Sequence, residues 1–300
     1  MLNNYWHGIL MVVCTALFWG GMSPTAKVIT SAGLSQITVV AYRSVFIVVV
    51  MGLFLYLKYG KDKFFVSGRI LKMYFFLGML SVVINATGFL MSCSYLSVPK
   101  ALILHYTFPL VTMAGARFIT NEKPSLVQLL AGFMILLGLY VGFVLGGIDD
   151  DPASTAGILW GAASVIGFSG QTLLSRSMGK DENADPMLQL FFSSFFGGAV
   201  LILLNSVFRG WPDLVVMTPR LFLIIQYPAF FAGLLAFGFL FSALKYIPAS
   251  TASLVCSLEI VFALMLAPII IKQLPSFYEI IGALIVLTAV ATSMLLGKRG

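Results

Sequence analysis

Three ionisable residues stand inside long apolar runs of this chain: Arg43, His105 and Glu259. An ionisable side chain in hydrocarbon is costly unless it is paired or hydrated, which makes each a functional candidate by default. Arg43 lies about eight residues into its run, roughly 12 Å along a helix rising 1.5 Å per residue. His105 lies about nine residues into its run and Glu259 about ten, so both stand near the middle of a bilayer core about 30 Å thick. A base, an imidazole that changes charge near neutral pH and an acid thus share one depth. Two readings follow. The three form a charged-substrate site or proton relay, or Arg43 and Glu259 make a structural pair while His105 is satisfied by a neighbouring hydroxyl.

Aromatic and polar residues extend the candidate set. Trp19 and Phe168 occupy equivalent places in two runs, and Tyr106 adjoins His105. Aromatic faces hold cations and apolar rings, although with 14% aromatic residues most rings here face lipid or pack between helices. Asn85, Gln171, Ser253 and Ser257 either hydrogen-bond a ligand or tie helices together, a tie contributing about 0.6 kcal/mol. The expected substrate-binding residues are therefore His105, Tyr106, Glu259, Arg43, Trp19, Phe168, Asn85, Gln171 and Ser257. The sequence carries no phosphate-binding Gly-rich loop, nucleophile elbow or paired His/Cys metal spacing. No cofactor, metal or enzymatic activity is expected. Cys14, Cys93 and Cys256 lie in or beside apolar runs and read as small apolar residues rather than a disulfide framework.

The elements that must position these residues are membrane helices. The chain is 60% hydrophobic and 10% charged, with a mean hydropathy of +1.01. Ten runs are long enough to cross a bilayer, at 8–29, 35–58, 70–92, 96–116, 125–146, 154–175, 186–208, 220–243, 249–271 and 276–297. The first lacks a basic flank and carries Pro24, so it reads as a retained span rather than a signal peptide. The net charge of +7 sits in short loops, the pattern of a topology signal rather than a nucleic-acid site. With the N-terminus inside, the inner segments hold twelve basic residues, among them Lys58, Arg117, Arg176, Lys298 and Arg299. The outer segments hold five: Lys27, Lys100, Arg209, Arg220 and Lys272. Arg43 completes the eighteen. Both termini are expected in the cytoplasm, with the acidic linker Asp149-Asp150-Asp151 outside.

The chain is also written twice. Adding 151 takes Tyr95 to Tyr246, Ala101 to Ala252, Pro124-Ser125 to Pro275-Ser276 and Leu136 to Leu287. Adding 149 takes Gly8-Ile9-Leu10 to Gly157-Ile158-Leu159, Gly21 to Gly170 and Lys27 to Arg176. Two units follow, 1–148 and 153–300, each of five spans. Five is odd, so the second enters the membrane inverted, as in many secondary transporters whose site lies between the repeats. Gly138, Gly142 and Gly146 recur every four residues in span 5, a flat face for close packing. Spans 5 and 10 are assigned to scaffolding or to homodimer contact.

This pattern resembles the EamA-type branch of the drug/metabolite transporter superfamily. The resemblance covers the whole chain. It rests on Phe18-Trp19-Gly20-Gly21, Arg43, Tyr95 with Ala101, Thr107-Phe108-Pro109, Asn121-Glu122-Lys123-Pro124 and Leu258-Glu259. The family often has Leu-Glu-Pro in span 9, where this chain has Ile260, and an acidic residue in the following turn, where it has Gln273. Span 4 therefore keeps Pro109 for its kink, whereas span 9 lacks the proline on which the family's kink there rests.

The resemblance implies a bundle with a central cavity facing one side at a time, and export as the commoner direction. The expected function is a proton-coupled secondary transporter of a small organic metabolite, amino-acid-like or an organic amine, in the inner membrane. The alternatives are an exchanger of phosphorylated or nucleotide-linked metabolites, and a non-transporting membrane receptor or enzyme. Expected partners are the substrate, the lipid bilayer and protons, with no nucleic acid. Glu259 would hold a cation or proton, Arg43 would pair with it in one access state, and His105 would face the same cavity.

Overall fold

A computed structural model of the chain describes residues 2–145, 154–180 and 184–296. Gly146, the Asp149–Asp151 run, Pro152, Lys298 and Arg299 lie outside the described residues. Ten helical spans cross the molecule: Asn4–Ser31, Gln36–Tyr59, Gly68–Tyr95, Lys100–Ile119, Leu126–Val144, Thr155–Gly179, Pro186–Phe208, Pro219–Ala243, Ala249–Ile271 and Phe277–Leu296. They are numbered 1 to 10. Helices suit this setting because they bond most of their backbone groups internally, where hydrocarbon offers no water. Their ends fall within about one turn of the apolar runs. We call the side on which span 1 begins the near face and the opposite side the far face.

The inverted repeat is visible in local geometry. Among the described residues two non-glycine positions have positive φ, Asn121 at 54° and Lys272 at 56°, and they are 151 apart. Each ends a span in the left-handed conformation, which lets the chain reverse tightly. The next helix then opens on a serine cap. Ser125 forms a capping box with Gln128, and Ser276 makes the same pair of bonds with Glu279. Short 3-10 turns occupy equivalent loops at Lys61–Phe64 and Pro212–Val216. Widened π-helical turns interrupt spans 3 and 8 at Met79–Ala86 and Tyr227–Leu235.

Two loop ties repeat with their chemistry exchanged. On the near face Lys63 meets Asp185, the cap of span 7, at 2.7 Å. On the far face Asp213 accepts from the Ser35 N–H (2.9 Å) and the Thr38 hydroxyl (2.6 Å) at the start of span 2. Adding 150 takes 63 to 213 and 35 to 185, so the acid has moved from the span to the loop. Burial alone would raise both carboxyls. The hydrogen bonds from Lys63 and the Met187 N–H, and from Thr38 and the Ser35 N–H, outweigh it and hold both below the ordinary carboxylate value.

Spans 5 and 10 pack against each other within the chain through glycines. A Cβ on Gly138 would stand 2.7 Å from the Gly282 carbonyl oxygen, and one on Gly282 would collide with that of Gly138. The glycine face thus serves the internal scaffold. Gly142 has ordinary space, 3.6 Å from the nearest atom.

Candidate functional site

Spans 4 and 9 are both broken at mid-depth. Span 4 consists of helices Val98–His105 and Phe108–Ile119, and span 9 of Ala249–Cys256 and Glu259–Ile271. The breaks, at 106–107 and 257–258, are again 151 apart. Pro109 accounts for the first, since it sits in the first turn of the new helix, where its missing N–H costs nothing. The second forms without a proline at 260. There the Ser257, Leu258 and Ile260 N–H groups bond carbonyls three residues back, tightening the chain into a turn. Glu259 then opens the second half-helix, where the positive end of the helix dipole favours a carboxylate. Discontinuous helices of this kind present polar groups at the midplane of transporters.

Between these half-helices lies a cavity of about 240 Å³. Its floor carries Glu259, Tyr106 and Ile260, and its walls Leu102, Ala263 and Leu264. Ser23, Lys27, Gln273 and Glu279 ring its mouth on the far face. Ser23, Lys27 and Gln273 are solvent-exposed, so the cavity runs from water to the middle of the bundle. The Tyr106 hydroxyl and the Glu259 carboxylate share this floor. Among the described residues no Lys, Arg or His makes an ion pair with Glu259. The floor is therefore an acid flanked by an aromatic ring, an arrangement that receives a cation.

The other expected residues lie outside this cavity in the conformation described. Arg43 lines a separate small hollow with Ser44, Ser81, Ser193, Ser194 and Phe237. Its guanidinium stands 5.4 Å over the Phe237 ring, and the structure brings no acid to it among the described residues. His105 ends the first half of span 4 and faces span 6. Its Nδ1 shares a 2.6 Å hydrogen bond with the Ser164 hydroxyl, and its ring is enclosed by Phe89, Tyr106, Phe108 and Phe168. Trp19 donates its indole N–H to the Ala232 carbonyl at 2.9 Å and packs edge-on to Phe168 and Phe237. These rings form an aromatic wall behind the floor. Asn85 lies in the π-helical turn of span 3, beside Gly167. Gln171 and Ser257 are fully buried, with side chains that have no partner.

Residues at the mouth were not singled out by sequence because they lie near span ends, where polar side chains are ordinary. The signal was present in the repeat. Lys27 corresponds to Arg176 and Gln273 to Glu122, and both pairs meet. Lys27 Nζ donates to Gln273 Oε1 at 3.0 Å across the mouth. On the near face Arg176 Nε donates to Glu122 Oε1 at 2.6 Å. Arg176 Nη1 also donates to the Leu244 and Lys245 carbonyls, at 2.8 and 3.1 Å, and Glu122 Oε2 accepts from the Ala249 N–H at 3.0 Å. The ends of spans 4, 6 and 8 and the start of span 9 are thus tied together, while the equivalent far-face pair, Lys27 and Gln273, is joined by an exposed bond. The bundle is open to the far face and closed at the near face.

Residues 6–144 and 155–295 each match the EamA-like transporter family. An uncharacterized transporter of Clostridium kluyveri is 23% identical over 291 residues, which cover 93% of this chain and 90% of that protein. A solved crystal structure superposes with a TM-score of 0.79 at 17% identity, over 97% of this chain and 98% of that chain. With both repeats matched, the chain, a multi-pass membrane transporter, belongs to the EamA-like transporter family.

Proposed function

We propose that this transporter carries a small organic cation, an amine or amino-acid-like compound, and that a proton competes with it for Glu259. The observation that carries this reading is Glu259 itself, on the floor of a water-accessible cavity with no cationic side chain paired to it. An unpaired carboxylate at that depth is costly, so a ligand cation or a proton neutralises it. One carboxylate serving both in turn couples their movements in opposite directions. The Tyr106 ring supplies an aromatic face for the ammonium or for an attached ring.

The cavity disfavours a phosphorylated cargo. It is lined by two carboxylates, Glu259 and Glu279, against one ammonium, Lys27. Arg43 belongs to another hollow. In the orientation we propose, the near face is cytoplasmic and the cavity opens outward, following the twelve-to-five bias of basic residues.

Proteoliposomes with an imposed pH gradient test the reading. Radiolabelled phenethylamine is expected to move against the proton gradient, and glucose 6-phosphate is not. Counterflow of the phosphate ester without movement of any amine would contradict it.

A further inference from the structure

The small hollow beside Arg43 gathers donors that no group of the chain accepts from. It lies between spans 2, 3, 7 and 8 and measures about 10 Å³, against about 240 Å³ for the far-face cavity. That is room for one water-sized particle. The guanidinium lies over the Phe237 ring, which covers a flat face and leaves the in-plane N–H donors free. Among the described residues none of these donors meets an acceptor. Four serines complete the polar lining. A serine in a helix commonly returns its proton to a carbonyl one turn back. Ser44 and Ser193 do so, to the Val40 and Leu190 carbonyls at 2.9 and 3.3 Å. Ser81, in the π-helical turn of span 3, and Ser194 are also buried, but among the described residues their hydroxyls bond no protein group. No carboxylate lines the hollow. A fixed positive charge and free O–H donors thus surround one small space.

The repeat puts this space between equivalent residues. Adding 150 carries the start of span 2 onto the start of span 7, as it carries Ser35 onto Asp185. The same offset takes Arg43 to Ser193 and Ser44 to Ser194. All four line the hollow. A space lined by both members of two equivalent pairs lies on the pseudo-two-fold axis that relates the halves, and a ligand in it is held by both repeats at once.

We propose that this hollow binds a single monatomic anion, chloride in ordinary salt solution. A guanidinium without a counter-charge inside a membrane span is costly. A water molecule would accept from the donors and leave the charge in place, whereas a halide does both. Chloride is little larger than water and accepts N–H and O–H donors from any direction. A carboxylate or phosphate needs several times this space, so the site is separate from that of the cargo and does not rest on the transport reading. Bound chloride joins Arg43 of span 2 to Ser81 of span 3 and Ser194 of span 7, and so ties the two repeats together at their axis.

Thermal unfolding of the purified protein tests this without any cargo, with sodium chloride replacing sodium gluconate at constant ionic strength. An anion that binds the folded protein stabilises it as its concentration passes Kd. The Tm of wild type is expected to rise with chloride, and with bromide in its place. Arg43→Met should lower chloride affinity by roughly tenfold or more, and Ser81→Ala by about two- to tenfold, the ranges of charged and neutral hydrogen bonds. Lys27→Gln, at the mouth of the other cavity, should keep the wild-type response. If Arg43→Met does not fold, a variant carrying both Ser81→Ala and Ser194→Ala takes its place, with an expected loss of roughly tenfold. The proposal is overturned if the wild-type Tm does not respond to chloride, since the hollow then holds water alone. It is also overturned if folded Arg43→Met, or the double serine variant, keeps the full wild-type response, since chloride then acts elsewhere or as a general salt.

Discussion

Ser257 holds in the second repeat the place that Tyr106 holds in the first, at the break of a discontinuous span. One projects into a cavity open to water, and the other is sealed without a partner. The backbone framework is symmetric and the side chains on it are not, so the two halves of the bundle carry different chemistry at equivalent places.

The glycine contact between spans 5 and 10 separates positions that look alike in sequence. Gly282→Ala is expected to destabilise the protein by about 1–3 kcal/mol, because its Cβ meets backbone, which does not yield as a side chain does. Gly142→Ala should be nearly neutral, since its Cβ finds ordinary contact distances. Thermal unfolding of the two purified variants checks the ordering, and equal losses would contradict it.

Arg43 is expected to behave as a packed side chain rather than half of an ion pair. Its stem lies against Gly233 and its guanidinium over Phe237. Arg43→Met keeps the stem and removes a charge that has no acid beside it, so stability should change by less than about 1 kcal/mol or rise. A loss of about 3–5 kcal/mol, the cost of breaking a buried pair, would show that an acid meets Arg43 in the resting protein.

Acid should loosen both loop ties. The folded values of Asp185 and Asp213 lie below the unfolded value of about 3.9. Their contribution is then fully present above that value and lost as pH falls through the lower folded values. Stability is expected to show no dependence on these two groups above about pH 5 and to drop below about pH 4. Asp213→Asn should flatten part of that drop, and an unaltered acid limb would count against the tie.

Much of the fold was legible because hydrocarbon allows few solutions. Ten apolar runs must be helices, and repeat offsets near 150 place the second five upside down. The break in span 9 was not legible from a proline rule. Position 260 lacks the proline, yet a tight turn forms before Glu259. Of the site, Glu259 and Tyr106 were found because polarity inside an apolar run is conspicuous. Arg43 and His105 share their depth but not their direction. Residue counting gives height along a helix, while helix rotation and packing decide which hollow a side chain enters. The latch pairs were visible only as separate matches, Lys27 with Arg176 and Gln273 with Glu122, because contact between spans is not written in either stretch alone.

The most direct measurement is phenethylamine binding to the purified protein, by calorimetry, at pH 8 and pH 5, for wild type and Glu259→Gln. The account predicts that wild type binds at pH 8 and binds more weakly at pH 5 as protons compete. It predicts that Glu259→Gln, though as stable as wild type, loses binding by roughly tenfold or more, as expected when an ammonium loses its charged partner, and loses the pH dependence with it. A folded Glu259→Gln variant that keeps wild-type affinity and pH dependence would contradict the claim that this carboxylate is where cargo and proton exchange.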